Sequence, residues 1–267
     1  MLSLANLKPS TLRITAQDGV AFIEMNRPPA NGIDVTLGEE LGQAILAVRF
    51  DSTIKVAVIT STVPRFFSAG LDVAELESND PARMAYIQYL FHEAIIWRAR
   101  TTPKVFIAAI NGNCLGGGLE VAMACDIRIG GKGTWAIGHP EVRLGGFPGG
   151  GGLQILGRVI GFAKAMRLGM SGESLTMEQA HRLGVLDELV DQDQVLDRAR
   201  ELARQIASGP TKALGAMKIG TLVGAETGLT ASLAVERELY GQIYATEDLK
   251  EGARAFKEKR PPIYKGR

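Results

Sequence analysis

The chain opens with two short apolar runs of strand length that are separated by a turn. Thr11–Ala16 and Val20–Met25 are rich in apolar and β-branched residues, a composition that favours strands. Asp18 and Gly19 lie between them, and an Asp-Gly pair flanked by apolar runs is a strong hairpin signal. The sequence therefore predicts an antiparallel hairpin at the start of the fold.

Segments with helical and strand character then alternate along the chain. Thr36 is predicted to cap a helix that runs to about Phe50. Its apolar positions recur at the spacing of one helix face, and they are Leu37, Leu41, Ile45 and Val48. Lys55–Thr60 has the continuous apolar character of a buried strand, and Pro81 opens a long helix that reaches about Arg100.

The central part of the chain is again strand-like, and the last part is helical. Val105–Ile110 predicts a strand, and shorter strands are expected at Ile127–Ile129 and near Trp135–Ile137. From Gly149 onward the pattern predicts helices only. These helices are expected at Leu153–Val159, Phe162–Met170, Met177–Leu183, Val195–Ser208, Lys212–Leu222 and Leu229–Ala245.

This order of elements indicates the fold class. Strands that alternate with helices and are followed by helices alone predict an α/β core with a helical C-terminal region. We expect the boundary between the two near residues 190–205. The core is accordingly assigned to residues 1–195 and the helical region to residues 196–267.

Composition and charge exclude several classes of function. The chain has 267 residues, of which 46% are hydrophobic and 22% are charged, with a net charge of +1, as in an ordinary soluble globular protein. Outside the last dozen residues there is no basic block, so the electrostatic footprint of a nucleic-acid-binding protein is missing. No apolar run reaches the roughly 18 residues of a membrane span, and we expect no membrane partner.

The two cysteines and the N-terminus bear on the compartment. Cys114 and Cys125 are too few for a disulfide framework, and we interpret them as reduced core residues in a cytoplasmic protein. The N-terminus lacks the apolar region of a signal peptide. Its first seventeen residues contain Lys8 and Arg13 but no acid, which leaves a transit peptide open, although Thr11–Thr15 is better explained as a strand.

The segment Lys104–Asp126 carries the first candidate chemistry. After its strand come Gly116, Gly117 and Gly118, and then a short apolar helix that contains one charge, Glu120. The first N–H groups of a helix lack internal partners and carry positive potential, and glycines let a ligand approach that backbone. The segment predicts a cradle for an anion or oxyanion. Close packing and ordinary helix-dipole complementation by the glutamate are the structural alternatives.

A second element of the same kind lies upstream. Phe66–Asp72 reads FFSAGLD and follows a predicted buried strand, again with a glycine turn before a helix. Two such elements on neighbouring strands would each supply one backbone N–H group. Paired donors of this kind form an oxyanion hole when they lie about 2.7–3.1 Å from the developing charge.

Three spaced motifs together resemble the enoyl-CoA hydratase/isomerase (crotonase) family. They are FFSAGLD, AAINGNCLGGGLEVAMACDIRI and GHPEVRLGGFPGGGG, and the resemblance runs from about Val20 to the last residues. It implies a ββα superhelical core, a C-terminal trimerisation region, and chemistry on acyl-CoA thioesters through an enolate. Coenzyme A would enter as part of the substrate, and no further cofactor or metal is implied.

The resemblance also implies roles for particular residues. By motif position, the oxyanion donors are the N–H groups of Leu71 and Gly117, and the acid–base pair is Glu120 and Glu141. Glu141 is assigned as the main proton donor to carbon, and Glu120 as the group that orients and activates water. The substrate-binding candidates are Arg27, Ala69, Gly70, Asp72, Gly116, Gly118, His139, Phe256 and Lys259.

Several of these residues have simpler explanations. Asp72 is more typical of a turn or cap residue than of a catalyst, and Glu141 could be a solvated glutamate after Pro140. His139 is interpreted as a wall or packing residue that could tune Glu141. Phe256 and Lys259, which by resemblance flank the adenine of CoA, could belong to a solvated helix end.

Two positions depart from the family pattern. Many relatives have a lysine shortly after the aspartate of SAGxD, where this chain has Ala74, so a contact to a CoA phosphate is in doubt. After the glycine run, relatives often read T-Q-R-L, and this chain has no arginine there. Neither departure touches the predicted chemistry.

The sequence thus favours hydration of a 2-enoyl-CoA to a 3-hydroxyacyl-CoA. Double-bond isomerisation or other enolate chemistry on the same fold is the first alternative, and a non-catalytic acyl-CoA-binding homologue is the second. The resemblance implies a homotrimer or a hexamer built as a dimer of trimers. Its interface would use Met177, Leu229, Leu233 and Leu239, for which core packing is the competing explanation.

Overall fold

The computed structural model describes residues 3–78 and 80–267 of the chain. The strands are β1 (Leu12–Gln17), β2 (Val20–Met25), β3 (Gly32–Ile33), β4 (Val56–Ser61), β5 (Phe66–Ser68), β6 (Gly70–Leu71), β7 (Val105–Ile110), β8 (Asn113–Leu115), β9 (Ile127–Gly131), β10 (Ala136–Gly138), β11 (Leu175–Thr176) and β12 (Glu188–Val190).

Helices connect these strands and make up most of the C-terminal part. They are α1 (Val35–Phe50), α2 (Val73–Glu77), α3 (Pro81–Tyr89), α4 (Arg98–Thr101), α5 (Gly117–Ala124), α6 (Gly152–Ile160), α7 (Phe162–Ser171), α8 (Met177–Arg182), α9 (Val195–Ala207), α10 (Thr211–Glu226), α11 (Leu229–Tyr244) and α12 (Glu247–Glu258). A π-helical segment, Leu90–Trp97, joins α3 to α4. The long helix predicted from Pro81 is therefore confirmed, but its middle part is π-helical and not α-helical.

A six-stranded sheet forms the centre of the fold. Its strand order is β1-β2-β4-β7-β9-β12, and all neighbours are parallel except the initial hairpin. The predicted hairpin is confirmed, because Asp18 and Gly19 form its turn with positive φ angles of 52° and 79°. Parallel order requires a crossover between successive strands, and α1 supplies the first one.

A second, smaller sheet carries the strands that enter the predicted site. Its order is β11-β10-β8-β5, and a further pair, β3 and β6, lies apart from it. In the parallel pairing of β5 with β8, Ser68 lies opposite Cys114. The two glycine corners predicted from the sequence follow these two strands, so this sheet places the corners side by side.

Apolar packing covers both faces of the central sheet. On one face, α1 buries its predicted stripe completely, since Leu37, Leu41, Ile45 and Val48 are all fully buried. On the other face lies α9, which buries Val195, Ala199, Ala203 and Ala207 against β2, β4, β7 and β9. Both cysteines are buried free thiols, and burial raises the pKa of Cys125 to about 12.

Two predictions about local structure were wrong. Helix α1 is capped by Asp34, whose carboxylate accepts the N–H of Leu37, and not by Thr36. The region after Gly149 is not helical throughout, because β11 and β12 lie within it. β12 pairs with β9 and completes the central sheet, and such a three-residue strand is too short for its period to be recognised.

The assignment of residues 1–195 and 196–267 to two regions stays a prediction, and its boundary falls within α9. The interface prediction for Met177 was wrong, because this side chain is fully buried in the main core, whereas Leu229 and Leu233 are exposed. In the part of the chain that the structure describes, no helix combines the length and apolar character needed to cross a bilayer.

Candidate active site

The first glycine corner is fixed by a buried asparagine. The amide of Asn31 donates to the carbonyl of Phe67 at 3.0 Å and to Oγ of Ser61 at 2.7 Å. The hydroxyl of Ser68 donates to the carbonyl of Asn31 and accepts the N–H of Gly70. These bonds hold the loop after β5 in one conformation, which sets the direction of the backbone at residues 70 and 71.

The N–H of Leu71 is left out of the pairing between β3 and β6. In that ladder, the N–H of Asp72 donates to the carbonyl of Ile33 at 3.1 Å. Successive N–H groups of a strand point to opposite sides. The N–H of Leu71 therefore faces away from β3.

The second corner lies between β8 and α5. Gly116 has a positive φ of 53°, which a residue with a side chain rarely adopts, and α5 begins at Gly117. The N–H of Gly117 thus belongs to the first helical turn and has no acceptor within the helix. A Cβ built on Gly118 would lie 2.6 Å from the Cβ of Ser68, so only glycine permits this close approach.

The structure brings the two predicted donor residues together. A Cβ built on Gly117 would lie 3.4 Å from the nitrogen of Leu71, and one built on Gly70 would lie 3.0 Å from the nitrogen of Gly117. The two corners are therefore in contact, although 46 positions separate their donors in the numbering. The positive end of α5 and a strand N–H that faces away from its ladder meet at this place, an arrangement that suits an anionic oxygen.

Glu120 is buried on α5, with 3% of its surface exposed. Its Oε1 accepts two backbone N–H groups, from Gly150 at 2.8 Å and from Gly152 at 2.9 Å. Burial raises the pKa of Glu120, while the charge of His139 and the two N–H groups lower it. The carboxyl is thus fixed through one oxygen, and its basicity is increased by its apolar surroundings.

Glu141 approaches the same place from another element. It begins a short 3-10 turn, Glu141–Leu144, and a Cβ built on Gly116 would lie 3.2 Å from its Oε1. Its Oε2 is a buried oxygen with no hydrogen-bond partner among the described residues. The side chain is 22% exposed, so Glu141 is not the freely solvated glutamate of the simpler explanation.

His139 lies between the two glutamates. Its ring is 2% exposed, and Nδ1 lies 3.4 Å from Oε1 of Glu141. A Cβ built on Gly152 would lie 2.7 Å from its Nε2 and 3.0 Å from Oε1 of Glu120. Three ionisable side chains therefore converge behind the oxyanion corner.

The remaining predicted binding residues fall into two groups. Asp72 caps α2 by accepting the N–H of Ala74, as the cap interpretation expected, and it also binds Arg27 at 2.6 Å. Arg27 lies 3.1 Å from Asp34 as well, so two carboxylates hold it beside the first corner. Ala69 is exposed at this corner, and its N–H donates to Ala30.

The C-terminal candidates are not brought to this cluster. Phe256 lies on α12 and is 89% exposed. Lys259 is the exposed residue that ends this helix, with a positive φ of 53°. Both side chains are free to contact a ligand or another subunit, and their role stays a prediction.

Sequence reasoning missed two features of the site. One is the pair of N–H donors at Gly150 and Gly152, which bind the carboxylate of Glu120. The other is Phe91 on the π-helical segment, whose ring would lie 2.7 Å from a Cβ on Gly117 and 2.9 Å from one on Gly150. π-helical turns are frequent at functional sites, but one phenylalanine in a helical pattern gives no signal of this contact.

The glycine at position 150 is expected to be indispensable for packing. A methyl group there would overlap Oε2 of Glu120 and lie 2.9 Å from the Phe91 ring. Gly150→Ala should therefore destabilise the protein by about 1–3 kcal/mol, measured by denaturant unfolding, and should also lower activity.

Gly149→Ala is the matched control for this variant. Its methyl group would meet only ordinary contacts, 3.6 Å from Gln88 and 3.8 Å from Phe147, and its φ is not positive. We expect its stability to match that of the wild type. Equal stability of the Gly150 and Gly149 variants would contradict the tight enclosure of Glu120.

Known proteins resemble this chain over almost its whole length. A family model described as enoyl-CoA hydratase/isomerase matches residues 15–267. The 2,3-dehydroadipyl-CoA hydratase of Escherichia coli K12 is 37% identical over 260 residues, which cover 97% of this chain and 100% of the relative. The (E)-benzylidenesuccinyl-CoA hydratase of Thauera aromatica is 35% identical over 259 residues, with 97% and 99% covered.

Solved structures give the same result for the fold. The crystal structure of an enoyl-CoA hydratase from Bacillus anthracis superposes with a TM-score of 0.92 at 31% identity, covering 97% of this chain and 100% of the other. The crotonase-like fold implied by the three motifs is therefore confirmed. The chain belongs to the enoyl-CoA hydratase/isomerase family.

Proposed function

We propose that the protein is an enoyl-CoA hydratase that adds water across the double bond of a 2-enoyl-CoA to give a 3-hydroxyacyl-CoA. The observation that carries this proposal is the convergence of the Leu71 and Gly117 corners with two glutamates. Family membership alone leaves several enolate reactions open, whereas hydration requires a base for water and an acid for carbon. Glu120 and Glu141 provide this pair.

The thioester oxygen is bound between the two corners. When water attacks C3, negative charge moves to this oxygen, and the N–H groups of Leu71 and Gly117 stabilise it. Such donors act in the transition state more than in the ground state, so they accelerate the reaction. The start of α5 adds the positive end of its dipole.

Glu120 orients and activates the attacking water. Its Oε1 is occupied by Gly150 and Gly152, which leaves Oε2 to accept a proton from water. Burial raises the pKa of Glu120, and a more basic carboxylate removes this proton more readily. The resulting hydroxyl group is transferred to C3.

Glu141 completes the addition by protonating the α-carbon of the enolate. Its carboxyl lies against Gly116, next to the oxyanion corner, and therefore close to C2 of a bound thioester. The water proton ends on Glu120 and the C2 proton comes from Glu141, so Glu120 must lose a proton and Glu141 must regain one before the next cycle.

Coenzyme A is bound as part of the substrate, and the assembly is proposed to be a trimer or a hexamer. On α10 and α11, large apolar side chains face outward. They are Met217, Leu229, Leu233, Tyr240 and Tyr244. An apolar surface of this kind suits a subunit interface, across which Phe256 and Lys259 would reach the adenine.

The reduced, buried cysteines suit a cytoplasmic location.

A panel of acyl-CoA substrates tests this function. Crotonyl-CoA and 2,3-dehydroadipyl-CoA should lose their enoyl absorbance and gain the mass of one water. The second compound is included because two relatives are named for dehydroadipyl-CoA and benzylidenesuccinyl-CoA. Both compounds bear a carboxylate on the acyl group. Conversion of a 3-enoyl-CoA to its 2-enoyl isomer without hydration would favour the isomerase alternative. Binding without turnover of either class would contradict enzymatic function.

A further inference from the structure

His139 is an unusual residue for so buried a position. Its ring is 2% exposed, and neither Nδ1 nor Nε2 has a hydrogen-bond partner among the described residues. Burying a polar group without a partner costs stability. A packing residue of this size could be apolar without that cost, so the imidazole is expected to have a chemical role.

The surroundings of the ring indicate what this role is. Nδ1 faces Oε1 of Glu141 at 3.4 Å, just beyond a good hydrogen bond. On the other side, Nε2 is directed to the place where Gly152 meets Glu120. The carboxyls that face the ring are thus Glu120 on α5 and Glu141 on its own segment, while α6 presents the uncharged Gly152.

We propose that His139 is a positioning residue that sets both glutamates for their proton transfers. Its Nδ1–H aims the Glu141 carboxyl at the α-carbon, and the protonated form of the ring favours the basic form of Glu120 that activates water. The inference rests on the proposed hydratase function and deepens it, because it assigns a third ionisable group to the same site.

The electrostatic part of this role has a definite sign. Burial raises the pKa of Glu120, and the charge of His139 in its protonated form lowers it. Removal of the imidazole therefore raises the pKa of Glu120 further. Because water activation needs the deprotonated form, the acidic limb of the pH profile of kcat/KM should move to higher pH.

Two substitutions separate the two parts of the role. His139→Leu removes both the donor and the charge, and we expect kcat for crotonyl-CoA to fall about 10–100-fold through misorientation of Glu141, with KM little changed. His139→Gln keeps an N–H donor without the charge. It should recover much of kcat while retaining the shifted acidic limb.

His181→Gln is the matched control, because His181 lies on α8 and contacts the carbonyl of Leu186. Neither its kcat nor its pH profile should change. An unaltered kcat and acidic limb in folded His139→Leu would overturn the inference. His139 would have only a packing role if both of its variants showed a lower kcat and a lower melting temperature while the acidic limb of the pH profile stayed unaltered.

A second measurement keeps the inference separate from the hydratase function. The chain contains three histidines, so the imidazole nitrogen signal of His139 can be assigned by NMR from its loss in His139→Gln. Glu141→Gln should shift that signal and leave those of the other histidines in place. If the His139 signal shifts but no substrate in the panel is turned over, only the hydratase function is contradicted. If the signal does not shift, the positioning role is contradicted.

Discussion

Glu141→Gln should lower kcat for hydration of crotonyl-CoA by about 10²–10⁴-fold, the usual contribution of a general acid. The amide has the size of the carboxyl but cannot give a proton to the α-carbon of the enolate. Substrate binding should be nearly unchanged, because the oxyanion donors are backbone groups. Steady-state kinetics and the dissociation constant of the thioester measure the two effects separately.

Glu201→Gln is a suitable control, since this glutamate is exposed on α9 and pairs with Arg198. It should retain full activity. Wild-type turnover by Glu141→Gln would remove Glu141 from the mechanism.

Glu120→Gln gives a further distinction. Loss of hydration with retained conversion of 3-enoyl to 2-enoyl substrates would identify Glu120 as the group that activates water.

The elements with strong periodicity were predictable because their pattern is local. The stripe of α1 recurs every three or four residues, and the structure buries each of its predicted positions. Its start was not predictable in the same way. Asp34 and Thr36 are both good caps by residue type, and the choice depends on which side chain reaches the N–H of Leu37.

Short strands escaped prediction for a physical reason. β3, β6 and β11 contain two residues each, which is a single period of side-chain alternation and gives no repeat to recognise. Their existence depends on partners far along the chain, as in the pairing of Gly32 with Gly70. β12 was missed for the same reason, although it completes the central sheet.

Local motifs made some residues of the candidate site predictable, whereas contacts between distant residues were not. The donors at Leu71 and Gly117 lie within compact motifs, so residue order was sufficient to propose them and the structure places them in contact. The partners of Glu120 lie 30 and 32 positions away, at Gly150 and Gly152. The contact of Phe91 with these glycines depends on the fold, and a linear pattern carries no information on it.

Leu71→Pro should lower kcat/KM for crotonyl-CoA by about 10²–10³-fold, because proline removes one oxyanion donor. The N–H of Leu71 takes no part in the pairing of β6 with β3, so its loss leaves the ladder intact. Proline is accepted in strands at positions where the N–H is not paired. The preceding residue is glycine, which eases the restriction that proline places on it.

Leu71→Ala is the matched control, because it shortens the side chain and keeps the backbone N–H. If the backbone group alone acts, Leu71→Ala should retain kcat within a few-fold while Leu71→Pro loses it. Unfolding curves of both variants separate loss of the donor from loss of the fold. A folded Leu71→Pro variant with wild-type turnover would show that the thioester oxygen is not bound at this corner. Equal loss in both variants would instead assign the effect to the leucine side chain.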